Sequence, residues 1–141
     1  MIAMGKTLSS LIALVLLAAG PRPGSQEKAP DCSNAVTQQE INRCAVTDAN
    51  NAEAEMNKVL EALTTKHKKD AVFVQRVREA QQAWLRFRDA QLAAQFATSP
   101  GESTQIHYGS MYSMCYSNAK AELTRQRTEQ LEEMVKSGKG C

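Results

Sequence analysis

From Thr37 to Leu63 an apolar or small side chain returns every three or four residues: Ile41, Ala45, Ala49, Ala52, Met56, Val59 and Leu63. A repeat near 3.6, sustained over roughly seven turns, is one stripe down one α-helix and cannot be a strand, whose period is two. The start of this helix is marked. Thr37-Gln38-Gln39-Glu40 fits the S/T-x-x-E box, in which the threonine hydroxyl accepts a free backbone N–H and the glutamate reaches back to the cap. Its end is marked by Thr64–Asp70 (TTKHKKD), where the cations suit a helix C-terminus and Asp70 can cap the next helix.

Two more helices follow. The second is predicted over about 71–97, with Phe73, Val77, Ala80, Trp84, Phe87 and Gln91 on its inner stripe. Thr98-Ser99-Pro100-Gly101 breaks it, since Pro100 cannot continue a helix and Gly101 tolerates positive φ. The third is predicted from near Glu102 or Gln105 to near Lys136. Its expected stripe is Tyr108, Tyr112, Cys115, Ala119, Leu123, Leu131 and Met134. Gly109 marks either an irregularity within it or a late true start. Short links make neighbouring helices antiparallel. The expected fold is therefore all-α, an up-down-up bundle of three long antiparallel helices. Aromatics are only 5% of the chain, so aliphatic and alanine contacts must build most of its core.

The remaining segments set the domain plan. Lys6, the apolar run Leu8–Ala19 and the small residues Ala18-Ala19-Gly20 have the form of a signal peptide, expected over 1–24. That apolar run falls short of the roughly 20 residues that span a bilayer, so no stable membrane insertion is expected after the leader is removed. A Pro/Ser-rich strap over 25–36, a helical domain over 37–136 and a flexible tail over 137–141 complete the plan. A leader places the chain in the periplasm or outside the cell, where Cys32, Cys44, Cys115 and Cys141 read first as disulfide cysteines. None forms a C-x-x-C pair and neither histidine adjoins one, so no metal or cofactor is implied. The formal net charge of +2 gives no general drive toward nucleic acid.

With the helices placed, a set of motifs can be gathered. They are Cys32, Thr37-Gln38, Asn42-x-Cys44-Ala45, Ala54-x-Met56-Asn57, Ala80-Gln81-x-Ala83-Trp84-x-x-x-Arg88-Asp89-Ala90, Cys115, and Leu123-Thr124-x-x-Arg127-Thr128-x-x-Leu131. Together they resemble the lysozyme inhibitor LprI-like family of small exported bacterial proteins, over about residues 32–135. The resemblance implies a secreted or periplasmic helical domain whose partner is a protein, with lysozyme as the partner the family is named for. An enzyme would need a carboxylate dyad or metal cluster that the sequence does not show, so none is expected. A non-inhibitory periplasmic adaptor or stress-protective module is the alternative. This chain carries Leu92 where the family usually has a cysteine.

In the expected bundle Cys32, Cys44, Leu92 and Cys115 share one end. The strap can fold over the first turns of helix one, so Cys32–Cys44 is the favoured disulfide and Cys44–Cys115 its competitor. Cys115 is then expected as a buried thiol.

Trp84, Arg88 and Asp89 fall within one turn or so and could be read as a reactive group. They lack a nucleophile and a matched second acid, so a structural role is expected, with Arg127 as the partner of Asp89 across the hairpin. His67 and His107 are expected in solvated turns, and Lys66-His67-Lys68-Lys69 as the C-terminal charge of helix one. The best candidate for partner binding is the connection 98–109, with Glu102, Ser103, Gln105, His107 and Tyr108 as polar groups able to occupy a saccharide-binding cleft.

Overall fold

A computed structural model of the chain describes residues 30–138. The expected leader, the first residues of the strap, and the tail from Lys139 to Cys141 lie outside the described residues. Helix α1 runs Gln38–Lys66, α2 Ala71–Gln95, α3 Thr104–Tyr108 and α4 Tyr112–Ser137. A single 3-10 turn, Gly109–Met111, joins α3 to α4. Among the described residues there is no strand. None of their helices is long and apolar enough to cross a membrane.

The starts are fixed by side chains. The Glu40 amide donates to the Thr37 hydroxyl (3.2 Å), and the Thr37 amide donates to the Glu40 carboxylate (2.9 Å), which closes the capping box. Asp70 caps α2 by accepting from the Phe73 amide (2.9 Å). The third predicted helix is interrupted. Gly109 sits at φ +64°, outside the helical region and unfavourable for any residue with a Cβ, so α3 stops there and α4 begins three residues later.

The long helices run up, down and up. Asn42 meets Ser110, Glu53 meets Lys120 and Lys66 meets Val135, so α1 and α4 lie parallel. Gln81 meets Met56, and Arg88, further along α2, meets Glu53, earlier on α1, so α2 runs antiparallel to α1 and hence to α4. The closest pair is α1 and α4. Ala49 and Ala52 pack there against Ala121, and such small side chains let two helix axes approach. A larger cluster, Met56, Leu63, Val77 and Leu131, fills the end where α1 turns into α2, flanked by Phe73, Trp84 and Met134.

The stripe of α1 is as expected, with Ala45, Ala49, Ala52, Met56 and Leu63 buried. The other two stripes are rotated. On α2 the buried residues are Val77, Gln81, Arg88 and Leu92, while Ala80 is exposed and Phe87 is 58% exposed. On α4 they are Ser117, Ala121, Thr124, Thr128 and Leu131, with Cys115 only half-buried. The physical reason is that polar residues occupy the inner face, most of them with hydrogen bonds made inside the bundle. Thr124 donates to the Lys120 carbonyl (2.7 Å) and Thr128 to the Thr124 carbonyl (2.9 Å), so neither hydroxyl is stranded.

A disulfide joins Cys32 to Cys44, with Cα atoms 5.6 Å apart, and ties the strap to the second turn of α1. Cys115 is a free thiol, which excludes Cys44–Cys115. A cross-link over 12 residues removes unfolded-state entropy worth about 3 kcal/mol.

Candidate functional site

Two places gather the chemically active side chains: a polar layer in mid-bundle and the end where α2 passes into α4.

The polar layer is centred on Glu53 of α1. Arg88 Nη1 of α2 donates to Glu53 Oε1 and Lys120 Nζ of α4 donates to Glu53 Oε2, both at 2.8 Å. One carboxylate thus links all three long helices. The Arg88 side chain is 8% exposed, and it also donates from Nε and Nη2 to Asp89 Oδ1 (2.9 and 2.8 Å). Burial pushes the Glu53 pKa up, but the hydrogen bonds from Lys120 and Arg88 outweigh it, and the net position is below the usual 4.5. Burial likewise works against the charge on Arg88, and its bonds to Asp89 and Glu53 raise its pKa above the ordinary value.

Beside this layer lies Trp84, with the Arg88 guanidinium 5.4 Å and the Arg127 guanidinium 6.0 Å from its ring. Arg127 Nε donates to Gln81 Oε1 (3.0 Å), and Gln81 Nε2 in turn donates to Met56 Sδ (3.3 Å). The expected Arg127–Asp89 contact is therefore corrected. Arg127 is level with Gln81, while Asp89 sits eight residues along α2, about 12 Å away. Lys120 occupies that level of α4, and Asp89 takes its cation from its own helix. Burial lowers the Arg127 pKa. Glu53 is held by two cations, one on each oxygen, so as a base it is weak. This is the chemistry of a strut.

The second place is the α2–α4 end. Phe96 is surrounded by all three tyrosines: Tyr108 at 5.7 Å, Tyr112 at 5.8 Å and Tyr116 at 5.4 Å between ring centroids. This cluster forms a platform under the connection. Above it, Glu102 accepts from the Ser99 amide (3.3 Å) and lies 3.0 Å from His107 Nδ1. The His107 hydrogen bond, followed by the Ser99 amide, draws the Glu102 pKa below 4.5. Tyr108 donates to the Ala97 carbonyl (3.3 Å), and Asn42 of α1 donates to the Ser110 carbonyl (2.8 Å).

The structure brings Glu102 and His107 together but engages the predicted polar groups inside the connection. Ser103 caps α3 by accepting from the Ile106 amide (3.2 Å), and Gln105 Nε2 donates to the Gly109 carbonyl (3.1 Å). What projects outward is apolar: Ile106 at 80% exposure, Met111 at 49% and Val36 at 84%. These three were missed. Their signal in the sequence is that each is a large apolar residue in a polar segment and belongs to none of the stripes. Neither histidine is a free solvated group. His107 pairs with Glu102, and His67 is half-buried against Phe73 with ring centroids 4.5 Å apart.

A pH dependence follows from these carboxylates. A carboxyl whose folded pKa is depressed contributes stability that is complete above its unfolded value of about 4.5 and is lost as pH falls through the folded value. Glu53 and Glu102 both have this sign. Urea midpoints are expected to be level down to about pH 5 and to fall below it, with Glu53→Gln giving a lower plateau and a shallower fall. A fall of equal steepness in Glu53→Gln would assign the acid sensitivity elsewhere.

These features define a disulfide-strapped three-helix scaffold, with a charged strut inside and a platform-supported loop at one end. The chain belongs to the lysozyme inhibitor LprI family, whose model matches residues 30–131. It is also 34% identical, over 89% of its length and 93% of the relative's, to an uncharacterized protein of Rhizobium meliloti (strain 1021). No solved structure matches it.

Proposed function

We propose that the chain is an exported protein-binding domain that inhibits lysozyme through the end of the bundle built by residues 98–111. The observation that carries this reading is the construction of that end. Ile106 and Met111 stand exposed over a connection stapled by Glu102–His107, Tyr108–Ala97 and Asn42–Ser110, with four aromatic rings beneath. A preformed apolar tip with a polar rim binds without first ordering a loop, which limits the entropic cost of association. The family match supports lysozyme as partner, and a leader over 1–24 supplies the export. Binding of this kind needs neither an enzyme's nucleophile nor a cofactor.

The test is the lysis of peptidoglycan suspensions by a c-type lysozyme in the presence of the purified exported chain. Lysis is expected to slow with molar excess, and Ile106→Asp is expected to abolish the slowing while leaving the helical circular dichroism intact. Undiminished lysis at large excess rejects inhibition and favours the adaptor reading. Inhibition unchanged in Ile106→Asp moves the site away from this end.

A further inference from the structure

The outer side of α2 carries charge that nothing in the fold uses. A shallow groove of about 870 Å³ runs from the α1–α2 turn along α2, and its cations are Lys68, Arg78 and Arg86. All three are exposed, and among the described residues none of their side chains makes a hydrogen bond or ion pair. Among the other exposed cations, Lys66 donates to the Val135 carbonyl, Arg76 pairs with Glu79 and Arg125 pairs with Asp48, while Lys69 in the α1–α2 turn joins the unpaired set. Glu79 is the carboxylate of the groove. It accepts from Arg76 (2.8 Å) and Gln75 (2.9 Å), which leaves its charge compensated and the three cations free.

The spacing gives the groove a direction. Gln75, Arg78, Gln82 and Arg86 recur at three, four and four, one stripe on a side of α2 turned away from buried Val77, Gln81 and Arg88. Arg78 and Arg86 stand about 12 Å apart along the helix axis. Lys68 extends the row past the N-terminus of α2. Carboxylates collect instead on the α1–α4 side, where Asp48, Glu55, Glu129 and Glu132 line a separate groove with Arg125. A nearly neutral chain therefore carries one groove with a basic excess and a separate one with an acidic excess, and the basic groove attracts extended anions.

We infer that the α2 groove binds a linear carboxylated glycan. Three cations in a row suit a polymer with widely spaced charges better than a nucleic-acid backbone, whose phosphates are far denser. The lining has no Phe, Tyr or Trp to stack a base, the feature that single-strand binders depend on. Gln82, between Arg78 and Arg86, and Thr65, beside Lys68, offer hydrogen bonds to sugar hydroxyl groups. The groove lies toward the end of the bundle opposite residues 98–111, so this inference stands apart from lysozyme inhibition and either can fail without the other.

The probe is a fluorescein-labelled hyaluronan oligosaccharide, which carries one carboxylate per disaccharide, measured by anisotropy against the native chain at about 50 mM and about 200 mM salt. Neutral dextran and oligo(dT) are the comparison ligands. Saturable binding that weakens at the higher salt is expected, with at least a tenfold loss in the double variant Arg78→Glu/Arg86→Glu. Arg125→Glu, an exposed charge reversal in the acidic groove, is expected to leave the affinity unchanged. Circular dichroism of the double variant checks that its helices persist, and the native titration stands even if they do not. Binding no stronger than to dextran, or the same loss in Arg125→Glu, overturns the groove. Tighter binding to oligo(dT) overturns the glycan and assigns the surface to nucleic acid.

Discussion

Arg88→Ala is expected to destabilise the fold by about 3 kcal/mol, read from urea midpoints at neutral pH. The side chain is 8% exposed and makes three hydrogen bonds to two carboxylates. Removing it strands Glu53, which is 30% exposed and keeps only Lys120. That remaining contact places the loss near the lower end of what breaking a buried pair costs. Asp89 loses little, because 63% of its side chain is in water. Two further outcomes separate a strut from a merely large buried residue. Arg88→Ala removes a hydrogen bond that holds the Glu53 pKa down, so the acid limb of the stability profile should move to higher pH. The double variant Arg88→Ala/Glu53→Gln should lose less than the two single losses summed, because the stranded charge is gone. Strict additivity would show that Arg88 and Glu53 contribute independently.

How legible this fold is from sequence differs by helix, for one physical reason. On α1 the buried positions are all Ala, Met or Leu, so hydropathy and burial coincide and the stripe is read directly. On α2 and α4 the buried positions include Gln81, Arg88, Ser117, Thr124 and Thr128. Hydropathy places such residues outside, and the predicted stripes swung toward Ala80, Phe87 and Ala119. Gln81 and Arg88 are buried against a sulfur and a carboxylate on α1, and Thr124 and Thr128 against carbonyls four residues back on α4. None of these can be seen by scanning one segment. The same limit shaped the candidate site. The α2–α4 connection is recognisable from Pro100 and Gly101. That Ser103, Gln105 and Tyr108 bond within it, leaving Ile106 and Met111 to face outward, depends on the turn at Gly109 and on Asn42 reaching across from α1.

Trp84→Ala is the other large effect, expected at about 3 kcal/mol. The ring is only half-buried, so lost core area against the Met56–Leu63–Val77–Leu131 cluster accounts for part of it. The rest comes from the two guanidiniums. Arg88 retains Glu53 and Asp89, but Arg127 has no carboxylate: its hydrogen bonds go to the side-chain oxygens of Gln81 and Gln130. The face of Trp84 is the principal electron-rich surface it meets, and a half-buried cation deprived of it is left with its desolvation poorly offset. Trp84→Phe keeps a π-face and most of the packing, so it should lose roughly a third as much. Trp84→Leu keeps apolar bulk without the face, and should fall between Phe and Ala. Circular dichroism is the readout, because Trp84 is the sole tryptophan and its loss removes the natural fluorophore. If Leu matches Phe, the ring acts by bulk alone and the cation contacts contribute nothing. A loss below about 1 kcal/mol for Trp84→Ala would contradict both parts at once, and would free the Ala80–Ala90 segment to be considered as a binding surface.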